Sequence, residues 1–180
     1  MKKPRPILVA GIGNIFLGDD AFGSEVARAL QHHIWPDHVR VEDFGIRGYD
    51  LAYALMDGAD AVLIDAVPRG HPPGTVYLIE PDLNNLPAAA PDGHSMNPVA
   101  VLQLVRSLGG TTGRLFLVGC EPGVLESEDG QMGLSAPVQA ALPEAILLVE
   151  SVVADLIYNR NPVHRKLVRP ALAGYFKEKR

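Results

Sequence analysis

Two adjacent aspartates stand where a phosphate-binding turn would keep none. The run Gly11-Ile12-Gly13-Asn14-Ile15-Phe16-Leu17-Gly18-Asp19-Asp20 follows the apolar stretch Pro6 to Ala10 and leads into an amphipathic segment. Strand, glycine-rich turn and helix start are the parts of a nucleotide site. However, the third glycine of a dinucleotide fingerprint is replaced by Phe16, and no Gly-Lys-Ser/Thr follows. Asp19 and Asp20 would also repel bound phosphate by more than about 1 kcal/mol each. One of the two is expected to cap the helix that begins here, which leaves the other for chemistry. A third carboxylate, Asp65, closes the apolar run Ala61 to Ile64. His94 lies in Asp92-Gly93-His94-Ser95-Met96, just before a helix start at Asn97-Pro98. Two carboxylates and an imidazole over one sheet edge make a hard-to-borderline metal site, open to Zn, Ni, Fe or Mn. No His-Glu-x-x-His helix is present.

The elements that must position these groups read as alternating strands and helices. Ile7–Ala10, Ala61–Ile64 and Leu115–Val118 are short unbroken apolar runs, as strands buried on both faces are. Val39–Asp43 is a further strand. Thr75–Ile79, behind Pro72-Pro73-Gly74, suits an edge or antiparallel position. Phe22, Val26 and Leu30 recur along one face of a helix over Ala21–His33, and a shorter helix covers Tyr49–Met56. Asn97 and Pro98 supply cap and first turn for a helix over Val99–Leu108, closed by Gly109-Gly110. Ser135 is expected to cap a last helical region, which Pro143 restarts or kinks and which runs to about Asn159. Leu83–Asp92 reads as a long loop. The pattern is an α/β three-layer sandwich, with a mostly parallel twisted sheet and helices on both faces. Ligands of such sheets bind beyond the carboxyl ends of the strands, where Asp20, Asp65 and His94 fall.

Bulk properties narrow the function classes. The chain has 180 residues and a net charge of −5, which argues against nucleic acid as a partner. Cys120 is the only cysteine, so no internal disulfide or cysteine-based zinc site can form, and a reducing compartment is expected. Cys120 reads as structural, and its neighbour Glu121 is placed to line the crevice. Ile146–Ile157 carries Glu150 and Asp155, which argues against a membrane span, and Met1-Lys2-Lys3 opens no signal-peptide pattern. A cytoplasmic protein is expected, with one domain over 1–159 and a basic tail over 160–180.

The motifs together resemble those of the hydrogenase maturation endopeptidases. Gly11-x-Gly13-Asn14, Asp19-Asp20 and Gly23 resemble the opening motif of that family. Asp43-Phe44-Gly45-Ile46-Arg47-Gly48 resembles its second glycine-rich turn, and Asp65-Ala66-Val67 its strand-end aspartate. Gly93-His94-Ser95-Met96-Asn97 resembles its histidine loop. Leu117-Val118-Gly119 and Gly133-Leu134-Ser135 resemble its last strand and final helix start. The resemblance implies an endopeptidase that removes a C-terminal extension from the large-subunit precursor of a [NiFe] hydrogenase once nickel is inserted. It implies nickel contacts at Asp20, Asp65 and His94, with the ion delivered by the substrate. It also implies substrate contacts at Asn14, Asp19, Gly45, Arg47 and Gly48. Asp20 stands where many members have Glu. Ile46 and Arg47 stand where Thr is frequent, which points to substrate preference. The isolated protein is expected to be a monomer. The nucleophile is not identified. Two other readings use the same residues: a nickel-sensing chaperone that holds the precursor without cutting, and a small-molecule enzyme using the same crevice.

Overall fold

The computed structural model describes residues 4–83, 86, 97–125, 132–160 and 162. Five strands form one sheet: β1 (Ile7–Ile12), β2 (Val39–Gly45), β3 (Asp60–Ala66), β4 (Val76–Ile79) and β5 (Leu115–Cys120). Their order across the sheet is β2-β1-β3-β5-β4. The first four in that order are mutually parallel, and β4 runs antiparallel to β5 at the edge. This is the α/β sandwich that the alternating pattern predicts, including the antiparallel edge strand.

Period-2 alternation within the central strands feeds two cores. Val9, Val62, Ile64, Phe116 and Val118 face α1 (Phe22–Leu30) and α4 (Ala136–Ile157), meeting Phe22, Val26, Val149 and Val153. Leu8, Ala10, Leu63 and Leu117 face α2 (Gly48–Leu55) and α3 (Pro98–Ser107), meeting Leu51, Leu55, Val101 and Val105. Because both faces are covered, β1, β3 and β5 are buried along their whole lengths.

Helix ends follow local chemistry, with two departures from expectation. The Asn97 side chain accepts from Val99 N–H and Ala100 N–H, and Pro98 fills the first turn. Ser135 occupies the N-cap position of α4 but makes no side-chain cap bond. Its hydroxyl is turned instead to Asp19, 2.8 Å away. Pro143 does not restart the helix: α4 is a single 22-residue helix through it. Proline forfeits one backbone bond, and burial of Ala141, Ala145 and Val149 on either side offsets that loss. The basic tail lies almost wholly outside the described residues.

Opposite the strand carboxyl ends, Asp60 opens β3 and is buried. It accepts from Arg114 Nη2 at 2.6 Å, Arg114 Nε at 3.0 Å and the Arg114 backbone N–H at 2.8 Å. Arg114 also donates to the Leu156 carbonyl, which pins the end of α4 to the sheet.

Gly23 lets α1 lie directly on the sheet. A Cβ there would collide with the carbonyl oxygens of Ile12 and Ile64, on β1 and β3. Gly23→Ala is therefore expected to destabilise the protein by about 1–3 kcal/mol or more. A fall in the urea midpoint at unchanged m-value checks this.

Candidate active site

The chain leaves β1 toward β2 and leaves β3 toward β4, in opposite directions across the sheet, so the switch point of the sheet falls between these neighbouring strands at their carboxyl ends. Asp20 follows β1 on a 3-10 turn, Gly18–Ala21. Asp65 is the first residue of β3 beyond its ladder with β1, which closes at Gly11 opposite Ile64. Both side chains are buried. One oxygen of Asp20 accepts from Asn14 N–H at 2.9 Å, and one oxygen of Asp65 accepts from Ala66 N–H at 2.9 Å. By alternation, Asp65 shares the face of Leu63 and Val67, the face that α3 covers. His94 lies outside the described residues, and its loop rejoins them at Asn97, the cap of α3. Among the described residues no cluster of three or more histidine, cysteine or acidic groups is arranged for a metal.

Neither aspartate caps the turn that carries it, because Leu17 holds the N-cap position without a side-chain bond. Asp19 does something the sequence did not signal. Fully buried, it accepts from Gly123 N–H and Val124 N–H at 2.8 Å, Ser135 N–H at 2.6 Å and Ser135 Oγ–H at 2.8 Å. Burial alone would raise its pKa. The bonds from Ser135, Val124 and Gly123 outweigh that and hold it below 3.8. Asp19 thus ties the turn after β1 to the segment after β5 and to the start of α4. Its oxygens are committed to these four donors rather than presented to a ligand.

Beside Asp20 lies a cleft of about 330 Å3 between the 13–16 turn and the 44–47 turn. Gly13, at φ 142°, backs onto the Asp20 carbonyl so closely that any Cβ would collide with it. Asn14 Oδ1 accepts from Phe16 N–H at 3.0 Å and fixes the turn. On the other wall, Asp43 accepts from Ser24 Oγ–H at 2.7 Å, Gly45 N–H at 3.0 Å and Arg28 Nε–H at 3.0 Å. Arg47 donates to the carbonyls of Asp43 and Phe44, at 2.6 and 3.2 Å, and its guanidinium lies 5.7 Å over the Phe44 ring. It therefore holds its own turn. Gly48 is buried as the first residue of α2. A larger depression, about 880 Å3, lies at the amino ends of the strands among Pro4, Pro6, Pro36 and Ala54, at the opposite end of the sheet from Asp19, Asp20 and Asp65.

On the far side of Asp65 the row continues through Gly119 to Tyr77. The buried Glu121 carboxylate accepts from Tyr77 Oη–H at 2.5 Å and from the backbone N–H groups of Arg69 and Gly70. It anchors the loop that leaves Asp65. Burial and the Glu121 carboxylate push the Tyr77 phenol well above its usual value. Cys120 is fully buried, and burial, with Asp19, Glu121 and Glu144 nearby, pushes its thiol up to about 12. It stays protonated at neutral pH and supplies no thiolate.

The family model for hydrogenase maturation protease matches residues 24–152. The chain belongs to that family. A putative hydrogenase maturation protease of Methanocaldococcus jannaschii is 32% identical over 153 residues, covering 82% of this chain and 96% of that protein. The hydrogenase 2 maturation protease of Escherichia coli is 33% identical over 155 residues, covering 83% and 90%. The solved hydrogenase maturating endopeptidase HybD of E. coli superposes with a TM-score of 0.68 at 28% identity, over 83% of this chain and 93% of that one. The protein is thus a hydrolase of the endopeptidase type. No helix among the described residues is long and apolar enough to cross a membrane.

Two outcomes follow for the protease. Asp19→Asn replaces one acceptor oxygen with an amide among inward-facing donors and should cost about 1–3 kcal/mol at neutral pH. Because the folded pKa of Asp19 lies below 3.8, its contribution is full above that value and is lost as pH falls through it toward the folded pKa. Denaturation at several pH values should therefore show the gap between wild type and Asp19→Asn closing in acid. Native Cys120 should resist iodoacetamide, and Cys120→Ala should keep peptidase turnover, read by mass spectrometry and by cleavage assay.

Proposed function

We propose that this protease removes the C-terminal extension of a [NiFe] hydrogenase large-subunit precursor after nickel has been inserted, and that Asp20, Asp65 and His94 meet the ion carried in by that substrate. The observation that carries the proposal is the placement of Asp20 and Asp65, both buried, across the switch point between neighbouring strands β1 and β3. Carboxylate oxygens and an imidazole are donors suited to a borderline divalent ion. Asn14 N–H and Ala66 N–H orient the two carboxylates before any substrate arrives. Burial strengthens their attraction to a cation, because the local dielectric is low.

Hydrolysis requires water at the scissile carbonyl. An ion at this site would polarise that carbonyl or acidify the water. The water's proton would pass to a carboxylate or the imidazole of the site, since the buried Cys120 thiol faces no crevice. Docking of the precursor brings the peptide along the cleft, with the walls at Asn14 and Gly45 shaping its path and the buried Gly48 starting the helix behind them. Asp19 and Arg47 act from behind, holding those walls.

The test mixes purified protease with nickel-loaded and nickel-free precursor. Asp20→Asn, Asp65→Asn and His94→Ala should each slow removal of the extension by more than about a hundredfold, with the fold retained by circular dichroism. Equal cutting of nickel-free precursor would refute the nickel check. Normal processing by any one variant would remove that residue from the set.

A further inference from the structure

Ten large apolar side chains are exposed among the described residues, and four of them, Phe16, Leu17, Ile46 and Tyr49, fall in two short segments that flank the cleft beside Asp20. Phe16 and Ile46 are each 61% exposed and line that cleft from opposite walls. Neither sits on loose chain. Phe16 N–H is bonded to Asn14 Oδ1, and Leu17 N–H to the Asn14 carbonyl at 3.1 Å. Across the cleft, Gly45 N–H is bonded to Asp43 and Arg47 N–H to the Phe44 carbonyl at 2.9 Å. Apolar side chains held out to water on a pinned backbone, on the two walls of one cleft, mark a surface that a partner covers.

We infer that Phe16 and Ile46 form an apolar clamp that grips a hydrophobic side chain of the precursor, in the extended segment next to the cleavage point. This rests on the processing function proposed above and adds to it the chemistry of substrate recognition. Position and charge choose the occupant. Asn14 joins the cleft to the site: it lines the cleft, its N–H is bonded to Asp20, and its side chain sets the Phe16 turn. The two cations at the cleft are already engaged: Arg28 with Asp43 and Glu25, and Arg47 with two backbone carbonyls and Asp50. An acidic segment would have to break those pairs, whereas an apolar side chain need only displace water from Phe16 and Ile46.

The experiment measures binding and cleavage of purified, nickel-loaded large-subunit precursor by wild type, Phe16→Ser, Ile46→Ser, the conservative Phe16→Leu, and Ile34→Ser. Ile34 is fully exposed in the segment after α1, outside the cleft. Phe16→Ser and Ile46→Ser should each raise Kd and KM about tenfold or more with kcat kept. Phe16→Leu should restore most of the affinity, and Ile34→Ser should match wild type. Melting temperatures should not move, because these side chains lie on the surface. Wild-type Kd and KM in both serine variants would overturn the clamp while leaving the processing function standing. A wild-type protein that neither binds nor cuts the precursor would overturn that function and the clamp with it.

Discussion

The four hydrogen bonds on the Asp19 carboxylate are the interaction on which the carboxyl end of this sheet depends. A buried, unpaired charge costs several kcal/mol unless donors replace its lost water. Here the donors come from places far apart in sequence: Gly123 and Val124 after β5, and the backbone and hydroxyl of Ser135 at the head of α4. The charge can be buried only if those segments converge on it. Their convergence in turn fixes the 3-10 turn, and the next residue on that turn is Asp20. The position of one proposed site carboxylate is therefore inherited from its neighbour's structural bonds.

The same logic separates what was legible in the sequence from what was not. Strands β1, β3 and β5 announced themselves because burial on both faces leaves unbroken apolar runs. The α3 cap was legible because Asn followed by Pro acts within one turn of helix. Asp19 and Ser135 each carried a correct local signal for capping, and a mutual tertiary bond took both side chains elsewhere. Nothing within a few residues of either encodes a partner 116 positions away. Pro143 read as a break because propensity is local, whereas the helix around it is held by packing. Asp20 and Asp65 were legible as candidates because a polar residue ending a buried strand has few purely structural uses. Arg47 drew notice for standing where Thr is frequent, but its length lets it turn back onto its own carbonyls. Glu121 was only a neighbour of interest until the fold brought Tyr77, Arg69 and Gly70 around it.

The two ends of the sheet divide the work. At the amino end, the buried Asp60 and the half-buried Arg114 form a multiply bonded ion pair that joins β3 to the end of α4. At the carboxyl end, the buried carboxylates of Asp19 and Glu121 meet backbone and hydroxyl donors, with no arginine or lysine side chain among the described residues bonded to either. Carboxylates held by neutral dipoles keep their negative charge in the local field. The crevice is thereby left electrostatically receptive to a cation, while the opposite end is neutralised.

The buried thiol of Cys120 has a consequence for metal traffic. A protein that inspects the nickel centre of its substrate must not compete for that cargo. Soft sulfur donors are the groups most able to strip such an ion from its owner. This chain has one sulfhydryl, fully buried at the end of β5, so it offers no thiolate, and the contacts proposed at Asp20, Asp65 and His94 are oxygen and nitrogen. On the proposed reading, contact with the ion can be strong enough to sense it and too weak to extract it, so the inspected centre stays with the hydrogenase when the two proteins part.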